Sequence, residues 1–265
     1  MVGKTEKKSE SKSIVFIHGL FMNPLSWTRW VKFYEDRNYI CHTPPYPYHE
    51  GNPEKLRQNI NQLLGKVTLG QVVGSLSGFI DSLPEKPVLI GHSMGGLAVQ
   101  KLIEMDKGKA GICIDPAPPQ GIISLKWSFL KANLSTINPF RGNSVCLPDV
   151  KWFHYAFCNT MSYEETEMEY KKYLVPESRS IARTSTGIDG KIDFRKQHKP
   201  LLIIAGEKDN IVPASLIRRN FKAYRDKNSR ADFREFADRS HYICGQKGWE
   251  EVAIFINSWI EALPS

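Results

Sequence analysis

The sequence predicts an α/β protein in which a mostly parallel sheet of about six strands is flanked by helices. Two features of the 265-residue chain support this prediction. Short segments that are apolar on both faces alternate with amphipathic segments, which is the pattern of a parallel sheet covered on both sides. The composition is 41% hydrophobic and 24% charged, as in soluble globular proteins, and one α/β domain can reach this length.

Six segments are expected to form the strands. The first five are short apolar runs that end near Gly, Pro or Asp, and the last is identified by its alternation of apolar and polar residues. In chain order they are SIVFIHG (Ser13–Gly19), Tyr39–His42, PVLIG (Pro87–Gly91), AGICID (Ala110–Asp115), KPLLIIAGEKD (Lys199–Asp209) and ADFREFADRSH (Ala231–His241).

Helices are expected between these strands. Two of the segments begin with a proline at a position suited to the first turn of a helix, and the others have apolar residues at helical spacing. In chain order they are PEKLRQNINQLL (53–64), GQVVGSLSGFIDSL (70–83), GGLAVQKLIEMDKG (95–108), PASLIRRNFKAYRD (213–226) and GWEEVAIFINSWIEAL (248–263).

The domain organisation follows from one break in this alternation. Residues 116–199 contain no clear core strand and carry aromatic-rich helical stretches such as KWSFLKANL and VKWFHYAF. A long insertion in a compact domain usually has a function, so we expect a helical cap or lid. Residues 13–115 and 200–265 then form the core, and the polar residues 1–12 a flexible tail.

Charge and cysteine content exclude several classes of protein. The net charge is +8, but the basic residues are dispersed, whereas a nucleic-acid-binding protein usually has a clustered basic stripe. No apolar run approaches the ~18 residues of a membrane span, and the N-terminus lacks the apolar part of a secretory signal. Five cysteines without a CxxC pair argue against a disulfide framework. We therefore expect a cytoplasmic protein without a nucleic-acid partner.

Metal and cofactor motifs are also missing from the sequence. There is no HExxH motif and no cluster of Cys and His residues, which are the usual signs of a zinc site. The segment GHSMGG lacks the Lys-Ser/Thr ending of a phosphate-binding loop. The sequence therefore predicts no metal and no cofactor.

The strongest candidate for a chemical role is Ser93, which follows the third strand in a G-x-S-x-G pattern, Gly91–Gly95. A strand-to-helix turn of this kind forces the serine into strained backbone geometry and exposes its hydroxyl at the sheet edge, and small neighbours prevent clashes. The strand before and the helix after Ser93 are the context that the pattern needs. Ser93 is therefore the predicted nucleophile.

A serine hydroxyl needs an adjacent base, and His241 is the best-placed of the seven histidines. It follows the last strand, at the edge of the sheet where Ser93 is expected. His92 neighbours the nucleophile in its turn and is interpreted as structural. His42 and His49 flank the proline-rich loop after the second strand, where they are placed to line a pocket.

The base needs a carboxylate that fixes its tautomer. Asp209 is the first choice, because it follows the fifth strand and precedes the helix that begins near Pro213. Asp115 is the rival, because it ends the fourth strand at the same edge. Acyl transfer also needs two donors for an oxyanion. We expect the N–H of Met94 and that of Leu20, with Phe21 as the alternative to Leu20.

Taken together, these residues resemble those of the α/β-hydrolase family. The resemblance covers the chain from about Ser13 to the end and rests on His18-Gly19, GHSMGG, AGEKDNIVP and DRSHY. The order Ser, Asp, His is also the family's order. Compared with the fullest version of that fold, the chain begins at what would be the third strand, which shortens one edge of the sheet.

The resemblance implies a capped hydrolase with Ser93 as nucleophile, His241 as general base and then acid, and Asp209 as orienting acid. We expect hydrolysis of small-molecule carboxylic esters with small or apolar acyl groups, without a cofactor. Phe21, Trp127, Trp152 and Phe157 are the candidates for the substrate pocket. The same residues would also serve C–C bond hydrolysis, lactone opening or perhydrolysis, or a ligand-binding receptor with a vestigial triad, because a fold does not fix a reaction.

Overall fold

The computed structural model describes residues 12–137 and 142–264. The predicted tail lies outside the described residues except for Lys12, which begins the first strand. The strands are β1 (Lys12–Ile17), β2 (Tyr39–His42), β3 (Val88–His92), β4 (Ala110–Ile114), β5 (Val145–Cys146), β6 (Glu177–Ser178), β7 (Leu201–Gly206) and β8 (Ala231–Phe236).

Ten α-helices lie in the described part of the chain. They are α1 (Thr28–Glu35), α2 (Pro53–Gln58), α3 (Leu69–Asp81), α4 (Met94–Glu104), α5 (Trp127–Ile137), α6 (Val150–Ala156), α7 (Tyr163–Tyr173), α8 (Arg179–Thr184), α9 (Ala214–Ala223) and α10 (Trp249–Glu261). Short 3-10 helices occupy Pro24–Trp27, Gln62–Lys66 and Ile188–Gly190. None of the helices described is both long and apolar enough to cross a membrane.

Six of the strands form one sheet in the order β2-β1-β3-β4-β7-β8, and every neighbouring pair is parallel. This confirms the predicted α/β class and the number of strands. Because all six strands run in the same direction, their carboxyl ends lie at one edge. The residues that follow β1, β3, β4, β7 and β8 are thereby brought to the same side of the molecule.

The sheet is covered on both faces, as its apolar strands require. Along β1, Val15 and Ile17 belong to one buried cluster and Phe16 to the other, in keeping with the alternation of side chains along a strand. The first cluster includes apolar residues of α3, α4 and α9, and the second includes those of α1 and α10. The two layers bury both faces of the sheet.

The helices of the structure differ from the predicted ones at two places. No helix was predicted for α1, although β1 and β2 are parallel and need a crossover between them. Trp30 and Tyr34 of α1 are buried against Phe16, so the signal was an aromatic stripe at helical spacing. The helix predicted for 53–64 ends at Gln58, and the chain then continues into the 3-10 helix that Asn61 caps.

The segment 116–199 adds no strand to the main sheet within its described residues. It contains α5 to α8 and a two-stranded antiparallel pair formed by β5 and β6. The side chains of Phe129, Trp152 and Phe157 from this segment face the region of Ser93. The division into core and cap remains a prediction.

Candidate active site

Ser93 lies in a sharp turn between β3 and α4. Its φ of 55° and ψ of −119° are strained for a residue other than glycine, at a cost of roughly 1–3 kcal/mol. The Ser93 N–H donates to the carbonyl of Ile114, and the Ser93 carbonyl accepts from the N–H of Ala117, both at 2.9 Å. These bonds fix the turn to the end of β4 and hold the hydroxyl at the carboxyl edge of the sheet.

Two glycines allow the backbone to approach this turn closely. A Cβ at Gly95 would lie 2.2 Å from the carbonyl oxygen of Ile17. A Cβ at Gly19 would lie 2.9 Å from the Cβ of Ser93. Either side chain would collide, so only glycine allows the start of α4 and the loop after β1 to meet beside Ser93.

The His241 ring lies between Ser93 and Asp209. Its Nε2 is 2.9 Å from Ser93 Oγ, and its Nδ1 is 2.6 Å from Asp209 Oδ2. Because a carboxylate accepts hydrogen bonds, Nδ1 carries the proton, and Nε2 is left to accept from the serine hydroxyl. Burial lowers the pKa of His241 to about 3, so the ring is neutral at neutral pH.

Three contacts with His92 and Phe157 hold the loop that carries His241. His92, interpreted above as structural, donates from Nε2 to the carbonyl of His241 at 2.7 Å. Phe157 accepts from the N–H of Tyr242 at 2.9 Å, and its ring meets that of His241 edge-on at 4.9 Å. The imidazole is therefore fixed by its own backbone and by a ring packed against it.

Asp209 is buried and accepts three hydrogen bonds. Its Oδ2 faces His241, and its Oδ1 accepts from the N–H groups of Ile211 and Val212 at 2.7 and 2.8 Å. Burial raises the pKa of this carboxyl, and the two backbone donors act in the opposite direction. Three donors around one carboxylate favour its ionised form.

Asp115, the rival acid, is also fully buried. Its Oδ1 accepts from the N–H of Gly206 at 2.6 Å, and its Oδ2 has no hydrogen-bond partner among the described residues. Burial and then the charge of Asp209 raise the pKa of Asp115. Of the two carboxyls, Asp115 is therefore the one that takes up the proton, and the carboxylate in contact with His241 belongs to Asp209.

The two predicted oxyanion donors lie beside Ser93 in a shared cavity, which Leu20 and Met94 help to line. Met94 is the first residue of α4, where a backbone N–H has no partner within the helix. The Leu20 N–H has no acceptor in the described part of the chain. The alternative donor, the N–H of Phe21, is already bonded to Glu177 Oε2 at 3.2 Å. The geometry therefore favours Leu20 over Phe21.

The cavity beside Ser93 encloses about 80 Å³. Phe21, Trp152 and Phe157 line it, whereas Trp127 does not: Trp127 begins α5 on its outer side and is 75% exposed. The other lining residues in the described ranges are Leu20, Ser93, Met94, Ala117, Pro118, Phe129, Asn133, Ala182, Ser185, Thr186, Ile211 and Val212. None of these described lining residues is charged.

His92, Asp115 and His241 bring potential metal ligands within 4.8 Å of one another. Hydrogen bonds already occupy both ring nitrogens of His241, and Nε2 of His92 carries the proton that it donates to a carbonyl. His241 therefore has no ring nitrogen free to bind a metal ion.

Comparison with known families decides the classification. The sequence of residues 14–253 matches the family model described as "Alpha/beta hydrolase family". The chain belongs to this family. No curated protein sequence matches the chain significantly.

Solved structures similar to this hydrolase share its fold at low sequence identity. A Paleococcus ferrophilus monoacylglycerol lipase has a TM-score of 0.69 and 20% identity, with 94% of this chain and 93% of that chain covered. The Arabidopsis methylesterase MES16 has a TM-score of 0.69 and 14% identity, with 95% and 100% covered. Tomato methylketone synthase I has a TM-score of 0.70 and 14% identity, with 95% and 98% covered.

Sequence reasoning missed several residues of this hydrolase's cavity. Asn133 of α5 donates from Nδ2 to the carbonyl of Ile211 at 3.1 Å, which connects the inserted segment to the loop after β7. His42 and His49 do not line the cavity. His49 is instead buried against Glu177. The two residues are 128 positions apart in the sequence, so no local pattern predicts their contact.

Proposed function

We propose that this protein is a serine hydrolase that cleaves carboxylic esters of small, uncharged, apolar acyl groups. The observation that carries the proposal is the continuous contact chain from Ser93 Oγ through His241 to Asp209, at 2.9 and 2.6 Å, beside a cavity without charged described residues. The esterase and lipase neighbours agree with this choice of substrate class.

The proposed reaction has two steps. Ser93 Oγ attacks the ester carbonyl while its proton passes to Nε2 of His241, and the N–H groups of Leu20 and Met94 stabilise the oxyanion. Asp209 stabilises the imidazolium that forms. When the tetrahedral intermediate collapses, His241 protonates the leaving alcohol, and the acyl group stays bonded to Ser93. Water then attacks this acyl group through the same sequence of proton transfers.

The cavity limits the acyl group in two ways. A volume of 80 Å³ is about half that of a cavity that holds benzene, ~150 Å³, so acyl chains of about four carbons or fewer are favoured. A carboxylate in this cavity would lose its hydration without meeting a positive charge among the described lining residues, at a cost of several kcal/mol. We therefore expect neutral, short-chain esters to be the best substrates.

The test is ester turnover by the purified protein. We expect hydrolysis of p-nitrophenyl butyrate, with kcat/KM at least 10-fold lower for the dodecanoate ester and about 100-fold lower for the anionic succinate monoester. Ser93→Ala should abolish turnover, whereas Ser77→Ala, a buried serine of α3 outside the cavity, should retain it. Turnover that survives Ser93→Ala would refute the proposal.

The same experiment separates the alternative reactions. Lactones, β-diketones and peracid formation from acetate and peroxide are measured alongside the esters. Faster turnover of a lactone or a β-diketone would indicate that the same residues catalyse that reaction rather than ester hydrolysis. Thermal stabilisation by a ligand, with no turnover of any substrate, would indicate a receptor. The chain has five cysteines and no CxxC pair, which supports the cytoplasmic location that we propose for this enzyme.

A further inference from the structure

A buried ion pair lies beside the loop that follows β1. Glu177 of β6 and His49 of the proline-rich loop after β2 are both fully buried, with Glu177 Oε2 3.2 Å from His49 Nε2. The same Oε2 accepts from the N–H of Phe21 at 3.2 Å, and Oε1 accepts from the N–H of Ser178 at 2.7 Å. One carboxylate therefore joins three segments that are distant in sequence.

The contacts of His49 indicate that it is an imidazolium. Its Nδ1 faces the carbonyl of Pro47 at 3.1 Å, and its Nε2 faces the carboxylate of Glu177. Both partners accept hydrogen bonds, so both ring nitrogens must donate. Burial acts to lower the pKa of His49, but the charge and hydrogen bond of Glu177 outweigh it and raise the pKa.

Phe21 is held on both sides by the segment that contains Glu177. Its N–H donates to Glu177, and its carbonyl accepts from the N–H of Val175 at 2.9 Å. Its φ of 65° is unfavourable for a bulky residue and needs such support. Only the φ and ψ of Leu20 separate the peptide plane held at Phe21 from the one that carries the Leu20 N–H, because each peptide unit is planar.

We propose that the Glu177–His49 pair is a positioning device that directs the Leu20 N–H toward the oxyanion, and this inference rests on the ester hydrolysis proposed above. Glu177 accepts a hydrogen bond from the Phe21 N–H, so this N–H does not compete with that of Leu20 for the oxyanion. The same bond fixes the peptide plane between Leu20 and Phe21. His49 gives the buried carboxylate of Glu177 a partner of opposite charge. Neither side chain lines the cavity, so their effect falls on the transition state and leaves substrate binding unchanged.

The first test changes Glu177. Glu177→Gln keeps an acceptor but removes the charge, and should lower kcat about 10-fold. Glu177→Ala should lower kcat about 100-fold, near the 10²–10³-fold loss of one oxyanion donor. KM should stay within threefold in both variants. Thr166→Val is the matched control, since Thr166 is fully buried in the same segment and its hydroxyl bonds to Ser162, His154 and Cys158 rather than to the loop after β1.

Inhibitors separate positioning from a general structural role. A trifluoromethyl ketone forms a tetrahedral adduct with an oxyanion, so its Ki should rise in Glu177→Gln by the same factor as kcat/KM falls. The Ki of the matching methyl ketone should stay within threefold, because a neutral carbonyl makes little use of the donor. All rates are expressed per active site titrated with a fluorophosphonate. The inference would be overturned if Glu177→Gln kept the kcat of the wild-type protein. It would also be overturned if the Ki values of the two ketones changed by the same factor.

A second test uses the wild-type protein, in which no substitution can disturb the fold. The groups that face His49 are Glu177, the ring of Tyr46 at 5.8 Å, the neutral ring of His18 at 5.3 Å and, through its charge, Glu50. As pH rises through the raised pKa of His49, kcat should fall while KM stays constant.

In His49→Gln, kcat should have the low value of the wild-type protein at high pH, and it should not fall further as the pH rises. The same fall in this variant would overturn the inference. A wild-type protein that neither turns over esters nor is acylated at Ser93 would instead refute the proposed function itself.

Discussion

Replacing Asp209 by asparagine should lower kcat/KM about 10⁴-fold. The Oδ1 position accepts from the N–H groups of Ile211 and Val212, so the amide oxygen of the new side chain should stay there. Its NH₂ group must then take the position that faces His241 Nδ1 at 2.6 Å. An NH₂ donor there forces the proton to Nε2, the atom that should accept from Ser93. Such a tautomer change in Ser-His-Asp sites costs about 10⁴-fold, or about 5.5 kcal/mol.

Asp115→Asn is the matched control for this change. The asparagine oxygen can keep the bond from the N–H of Gly206, and its NH₂ group replaces an oxygen that has no partner among the described residues. A buried NH₂ group without an acceptor costs about 1–3 kcal/mol of stability, so the Tm should fall. The tautomer of His241 should not change, and kcat/KM should stay within threefold.

The assay is hydrolysis of p-nitrophenyl butyrate by both variants, normalised to the folded fraction measured by circular dichroism and thermal melting. The variant with the lower Tm, Asp115→Asn, should be the more active of the two. Similar losses in the two variants, or a larger loss in Asp115→Asn, would show that the orienting acid is not Asp209.

Three further predictions follow from the site and its surroundings. Because burial lowers the pKa of His241 to about 3, kcat/KM should not fall as the pH is lowered from 8 to 5. A loss of kcat/KM on acidification, centred near pH 6.5, would contradict this. Burial raises the pKa of Cys41 to about 12 and also those of Cys113, Cys158 and Cys244, so iodoacetamide at pH 7.5 should leave activity intact, and inactivation would point to a thiol nucleophile. Gly95→Ala should abolish activity and lower the Tm, because its Cβ would lie 2.2 Å from a carbonyl oxygen. Gly78→Ala, in open space on α3, should instead raise stability by about 0.4–1 kcal/mol. Equal melting temperatures of the two variants would show that the packing around Gly95 does not require glycine.

The sheet could be predicted because each of its strands carries a local signal. Runs such as VFI and LLII are apolar on both faces, and a punctuating Gly, Pro or Asp ends each run. Parallel strands then place Ser93, Asp209 and His241 at one edge without any knowledge of side-chain contacts, which is why three residues so distant in sequence could be grouped. The helix α1 was not predicted, because the helical spacing of Trp30 and Tyr34 was not recognised as a sign of a helix.

The cavity and its support could not be predicted in the same way. Trp127 and Trp152 look alike in sequence, and only the orientation of α5 and α6 decides that one is 75% exposed and the other lines the cavity. The bond between Phe21 and Glu177 spans 156 positions. Periodicity describes the face of an element, but it does not describe which loops meet above the sheet, so only the structure shows that the Phe21 N–H is already bonded to Glu177.

The most direct measurement is the site of covalent labelling by a fluorophosphonate, read by intact mass and by peptide mapping of the wild-type protein. The account predicts one adduct per chain, on the peptide that contains Ser93, and no adduct in the His241→Ala variant within the same time. An adduct on another residue, or equally fast labelling of Ser93 without the imidazole, would contradict the claim that the buried His241 activates this serine.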